Sequence, residues 1–203
     1  MAQLPNILSG VTINRAEVWV TNKTGQTTNT RNIIALTDLG EASKIHNPLW
    51  TPGSTTVPAN AANTLYNIVS GINGVRNIST ATSALDGFGL TGGVDYEKLE
   101  SARLLSPSEY KVNAALGYIS LRSALQPDQV LAVAFEYTYR GTNYQVGEFS
   151  TDRKDNTETL LLKSLKNTAN SPSQGNWDLM MKNVYYLAST VERDKFRLDV
   201  KFQ

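Results

Sequence analysis

The sequence predicts a mainly β chain, an antiparallel sheet of sandwich-like character with two short helices. Three observations carry this. Long stretches alternate at period two, only two short stretches repeat at three and four, and turn residues separate the alternating runs at short intervals. Val130 to Tyr139 (VLAVAFEYTY) is the clearest case. Leu131, Val133, Phe135, Tyr137 and Tyr139 point one way, and Ala132, Ala134, Glu136 and Thr138 the other. Large apolar residues on one side and small or polar ones on the other predict a sheet packed on one face.

In chain order, Val11 to Val20 (VTINRAEVWV) reads as a strand. Turn residues Thr21 to Gly25 and a second apolar run at Ile33 to Leu36 predict a hairpin with a polar tip. Glu41 to Pro58 holds Pro48, Pro52 and Pro58 without a sustained period, and reads as a long loop. Asn60 precedes Ala61, Ala62, Leu65, Tyr66, Ile68 and Val69, the pattern of an Asn60-capped helix ended by Gly71. Recurring glycines from Gly71 to Gly93 predict irregular structure or short strands. Tyr96 to Leu105 fits both periods poorly and is assigned to a strand because strands follow it. These are Glu109 to Asn113, Gly117 to Leu121, Val130 to Tyr139 and Asn143 to Phe149, joined by Ala114-Ala115, Gln126-Pro127-Asp128 and Arg140-Gly141-Thr142. An apolar run at Thr159 to Leu165 comes next, then a second helix capped by Asn176 over Trp177 to Val184, and a closing strand at Lys195 to Phe202.

At 203 residues the chain is long enough for one sizeable domain or two small ones, each with its own core. We take it as one unit, 1–203, with a division into 1–93 and 94–203 as the alternative. The absence of cysteine excludes disulfides, zinc-thiolate sites, iron–sulfur clusters and a thiol nucleophile. A single histidine, His46, excludes multi-histidine metal sites. A net charge of +1 with mixed signs gives no nucleic-acid footprint, and no apolar run approaches the length of a membrane-spanning helix. Ser, Thr and Asn make up roughly a quarter of the chain, a bias common in the loops of exported β-proteins. Met1 to Asn6 lacks the basic and apolar regions of a signal peptide, so the chain is expected to be an excised piece of a longer polypeptide.

Four constellations could carry chemistry. Gly87-Phe88-Gly89-Leu90-Thr91-Gly92 matches the dinucleotide fingerprint G-x-G-x-x-G, but neither flank supplies the buried strand and opening helix that a pyrophosphate needs. His46 has no matched nucleophile elbow and reads as a solvent-facing loop residue. Asp152, Asp155 and Glu158 could offer oxygens to calcium, yet Arg153 and Lys154 intervene and the EF-hand spacing is missing. Carboxylate pairs for glycoside hydrolysis come from distant strands, so spacing alone neither supports nor removes them. The expectation is no catalytic residues, no cofactor and no metal. Trp50, Tyr139 and Tyr144 are the candidate contact surface, since exposed aromatics anchor interfaces; the competing reading makes Tyr137, Tyr139 and Tyr144 cross-strand packing pairs.

Particular strings carry a resemblance. Glu17-Val18-Trp19-Val20-Thr21-Asn22, Ile34-Ala35-Leu36-Thr37-Asp38-Leu39-Gly40-Glu41, Leu116-Gly117-Tyr118-Ile119-Ser120-Leu121, Val130 to Tyr137, Tyr144-Gln145-Val146-Gly147-Glu148-Phe149 and Trp177 to Tyr185 run in this order. In them the chain, from about Glu17 to Tyr185, resembles a segment of the SprA/Sov family. These are very large outer-membrane β-barrels that form the translocon of the type IX secretion system in Bacteroidetes and are linked to gliding motility. The resemblance implies a structural or interaction module of a protein-export channel. Its implied partners are the rest of the parent barrel, secretion-system subunits and exported proteins, and it implies no catalysis. The strands lack lipid-facing bands of about ten residues with aromatic girdles. The segment is therefore expected to be a soluble part of an outer-membrane protein with no lipid-embedded stretch, an extracellular cap in preference to a periplasmic plug. The alternative is a free-standing β-sandwich module binding carbohydrate or calcium, and behind it a hydrolase using a carboxylate pair.

Overall fold

Alternation dominates the chain, and eight strands form among the described residues. The structure, a computed structural model, describes residues 10–169 and 171–181, together with Asp194, Phe196, Arg197, Asp199 and Lys201. The strands are β1 (Val11–Val20), β2 (Thr30–Leu36), β3 (Tyr96–Leu104), β4 (Tyr110–Asn113), β5 (Tyr118–Leu121), β6 (Leu131–Tyr139), β7 (Thr142–Val146) and β8 (Leu160–Lys166), with helices α1 (Leu65–Gly71) and α2 (Ile78–Gly87). The mainly β class with two short helices is observed.

The sheet closes on itself. Its order is β1-β3-β2-β8-β6-β7, and a further pairing of β1 with β6 completes a ring of five strands with β7 attached to β6. All pairs are antiparallel except β2 with β8, which runs parallel with Ile33 opposite Leu160. The ring is narrowest in pairing between β1 and β3, where only Trp19↔Leu104 and Val20↔Arg103 match. Strands from both sides of residue 93 contribute to this ring.

Closure changes what the alternation means. Trp19, Ile33, Ala35, Leu99, Ala102, Ala132, Ala134, Leu160 and Leu162, one set from each ring strand, pack together with Phe149 as the interior. The small face of β6 is therefore not a solvent face, as its alternation predicted. Ala132 and Ala134 are buried inside the ring, where Trp19 and Phe149 take up the volume. The opposite faces are covered as well. Ile34, Leu36, Leu161, Tyr96 and Val146 pack under α1 and α2, while Val18, Val20, Leu131 and Val133 pack under the β4–β5 hairpin through Tyr110, Ile119 and Leu121.

Several local expectations need correction. β1 and β2 do not form a hairpin, because β3 lies between them. The linking loop closes on itself instead, with the Asn22 amide donating to the Gln26 carbonyl at 2.7 Å and the Gln26 amide donating back to Asn22 Oδ1 at 3.2 Å. Helix α1 starts at Leu65, and Asn60 does not cap it. The Ala61 and Ala62 carbonyls already accept from Ser54 and Gly53, so the backbone there is committed to another strip of structure. Asn63 Oδ1 accepts from the Leu65 amide at 2.9 Å. Helix α2 occupies a stretch expected to be irregular, with Asn77 as its cap and Ala81 and Leu85 as its buried face. Asn176 does not cap a helix but lies inside a 3-10 turn, Gly175–Leu179. The rest of that expected helix and the closing strand Lys195–Phe202 lie outside the described residues, save Met180, Met181, Phe196, Arg197, Asp199 and Lys201. The hairpin turn at Arg140-Gly141 is observed, with both residues at positive φ (50° and 79°), as a two-residue turn between twisted strands requires.

Candidate interaction surface

Two buried charge clusters hold the loops against the ring. Glu148, 2% exposed, follows β7 and accepts five hydrogen bonds. Arg76 donates to both oxygens (2.6 and 2.8 Å), Arg153 and the Tyr66 hydroxyl donate to Oε1 (2.8 and 2.9 Å), and the Leu161 amide donates to Oε2 (2.9 Å). Burial alone pushes this carboxyl up, but the two guanidinium groups overcome it and hold it below the ordinary carboxylate range. One side chain thereby ties together α1, the α1–α2 link, the loop after β7 and strand β8.

The second cluster surrounds Asp38 and Lys163. Asp38 Oδ2 accepts from the amides of His46 and Asn47 at 3.1 and 2.7 Å, which pins the Pro-rich loop to the end of β2. Lys163 donates to Glu41 Oε1 at 2.6 Å and to the Thr37 carbonyl. Burial pushes the Asp38 carboxyl up, against the lowering effect of the two amides, and burial pushes the Lys163 ammonium down, against Glu41.

The candidates for chemistry fall apart on this frame. The glycine motif begins at the C-terminal end of α2 and runs into a turn, so no helix opens after it. His46 is exposed and contributes its backbone, not its ring, to Asp38. In the charged loop Asp152 accepts from the Phe149 amide and Gln145, Asp155 accepts from Thr157, and Glu158 faces Arg153 at 3.7 Å. That loop is organised by buried Arg31, whose guanidinium donates to the carbonyls of Ser150, Asp155 and Glu158 and to Asn156. Among the described residues no group of three or more His, Asp or Glu side chains is placed to hold a metal.

Of the three residues expected at a contact surface, the structure buries Trp50. It is 4% exposed, stacks on Phe88 with centroids 6.2 Å apart, and belongs to the cluster beneath α1 and α2. A bulky ring in a loop over an apolar sheet face is more stable packed than wet. Tyr144 is half-buried and stacks on its cross-strand partner Tyr137 at 5.4 Å. Tyr137 donates to the Pro58 carbonyl at 2.7 Å, and burial pushes its hydroxyl up to about 12. Tyr139, also half-buried, lies under the Arg140 guanidinium at 5.1 Å. Tyr137 and Tyr144 form a cross-strand pair, as in the competing reading, whereas Tyr139 lies opposite Val11 and Thr142.

One surface feature among the described residues is not apparent from the sequence. A groove of about 760 Å³ runs between the β4–β5 hairpin and the outward faces of β1, β6 and β8. Val133, Phe135 and Leu165 from the sheet, Val112 and Ile119 from the hairpin, and Leu179 to Met181 line it together with Lys163. The signal was present in Leu131 and Val133, whose large side chains face outward once the small face turns into the ring. Among the described residues no helix is long and apolar enough to cross a membrane. No family model matches the chain, and no curated protein matches it either.

Proposed function

We propose that this chain is a structural and interaction module of an outer-membrane protein-export channel of the SprA/Sov type, the type IX secretion translocon linked to gliding motility. The observation that carries the reading is the ordered set of strings quoted above, because of where they fall. Five of them overlap β1, β2, β5, β6 and β7, and the last of these also supplies Glu148, the charge that ties the loops down. These are the positions on which a rigid frame depends.

The geometry is consistent with work by shape and contact. The buried carboxylates and cations hold loops in place, and a mostly apolar groove lies between the β4–β5 hairpin and the sheet. In this reading the module has no catalytic role and needs no cofactor. It contacts the remainder of the parent barrel, secretion-system subunits or exported proteins, and it sits outside the bilayer as an extracellular cap.

The test is in-frame removal of this segment from the parent gene, followed by measurement of cargo export. Export that fails while the barrel still reaches the outer membrane supports the reading; export at the normal level overturns it. Protease treatment of intact cells addresses placement. Cleavage within residues 114–117 of the β4–β5 turn before the outer membrane is opened fits a cap, and protection until it is opened overturns that placement.

A further inference from the structure

A pocket of about 460 Å³ lies between the outer edge of β7, the strip around Asn60 and the start of α1. Tyr139 pairs with Thr142 across the two-residue turn, so Asn143 and Gln145 direct their backbone groups away from β6. There the Asn60 amide donates to the Gln145 carbonyl at 2.7 Å. The Asn60 side chain accepts from the Gly147 amide at 2.8 Å and donates to its carbonyl at 3.3 Å. A strand added along this edge would have to displace Asn60. The facing wall is fixed as well, because the Gly53 and Ser54 amides donate to the Ala62 and Ala61 carbonyls at 2.8 and 3.1 Å. Walls held in this way leave little ordering for a ligand to impose.

The lining is polar and carries no charged side chain. Ser54, Thr55, Asn143 and Gln145 bring hydroxyls and amides, and Tyr66 and Tyr144 bring rings. Among the described residues Asn143 commits Oδ1 to Thr138 at 2.7 Å, and Gln145 commits Nε2 to the Gly147 carbonyl and Asp152, both at 2.9 Å. An amide donor remains on the first and an amide oxygen on the second. Tyr137 takes one face of the Tyr144 ring at 5.4 Å, so the other is the one a ligand can meet. The neighbouring carboxylates are spent, Glu148 on Arg76, Arg153 and Tyr66, and Asp152 on Gln145 and the Phe149 amide. An ionic ligand finds no counter-charge in this lining. A matching ligand is uncharged, carries many groups that both donate and accept, and has an apolar C–H face to lay on a tyrosine ring.

We propose that this pocket binds an uncharged saccharide of about one or two sugar rings. The site does not depend on the export reading, and its test is separate. The chain is titrated with cellobiose, lactose, maltose and chitobiose and followed by NMR, with glucuronate, inorganic phosphate and tetraglycine as comparison ligands. At least one of the four sugars is expected to bind with a Kd of a few millimolar or tighter, on the order of 4 kcal/mol or less in free energy. Asn143→Ala, at an exposed position, weakens that binding about tenfold, the loss of one hydrogen bond. Ser54→Trp, also exposed, fills the pocket and abolishes it, whereas Asn73→Trp, exposed and outside the lining, leaves it unchanged. Circular dichroism and urea midpoints check that each variant is folded. No binding of any of the four sugars up to about 20 mM overturns the proposal. Binding that survives Ser54→Trp in the folded variant overturns it too, as does glucuronate, phosphate or tetraglycine bound as tightly as the best sugar.

Discussion

Removing the Glu148 carboxylate tests most sharply what holds the loops to the ring. In Glu148→Ala, Arg76 and Arg153 keep their charges but lose their shared acceptor, and the Leu161 amide and Tyr66 hydroxyl lose theirs. Breaking a buried pair by deleting one partner costs about 3–5 kcal/mol, because an uncompensated charge stays behind. Arg76 and Arg153 are 19% and 31% exposed at the side chain, so water relieves part of that, and about 3 kcal/mol is the expected loss. With a urea slope of about 2 kcal/mol/M, the midpoint falls by about 1.5 M. The pH dependence carries an independent check. The folded-state pKa lies below the unfolded one, so the contribution is fully present above the unfolded value of about 4.3 and is lost as pH falls through the folded value. The gap between wild type and Glu148→Gln is therefore constant near neutrality and narrows below about pH 4. A midpoint shift under about 0.5 M for Glu148→Ala, or a Glu148→Gln gap unchanged into the acid range, refutes the reasoning.

Other substitutions probe other parts of the frame. Gly53→Ala places a Cβ 2.0 Å from the Ala61 carbonyl oxygen, which the α1 approach cannot accommodate, so we expect a loss above about 2 kcal/mol by urea titration. Ala132→Leu overfills the ring interior at a cost of about 1–3 kcal/mol, whereas an enlarged side chain at exposed Thr142 changes stability by less than about 0.5 kcal/mol. Asp38 behaves oppositely to Glu148: its folded pKa is raised, so its contribution is fully present below the unfolded value of about 3.9 and is lost as pH rises through the folded one. Stability of wild type relative to Asp38→Asn, which keeps an acceptor for the His46 and Asn47 amides, should fall over that window in pH-resolved melts; a flat difference contradicts the assignment.

What the sequence made legible was local. Periodicity located β1, β6 and β8 because their alternation or apolar run is long, and the Arg140-Gly141 turn because positive φ has few residue solutions. Helix α2 was hidden by the glycines that flank it, and only the Asn77 cap with Ala81 and Leu85 four apart betrayed it. The competing roles of the tyrosines were both visible as chemistry, whereas Trp50, expected at a contact surface, lies under the helices because only packing shows which loop ring an apolar face takes up.

The sequence by itself determined the mainly β class, the exclusion of thiol chemistry and the alternation that gives each strand two unlike faces. It did not determine which face meets water, since alternation has the same period in an open sheet and a closed one. Tertiary structure decided that through the β1–β6 pairing, which closes the ring, turns the small residues inward and leaves the large ones to be covered from outside. The groove exists for the same reason: an outward apolar face is longer than the hairpin that covers it, a mismatch of lengths that appears only when distant strands are brought side by side.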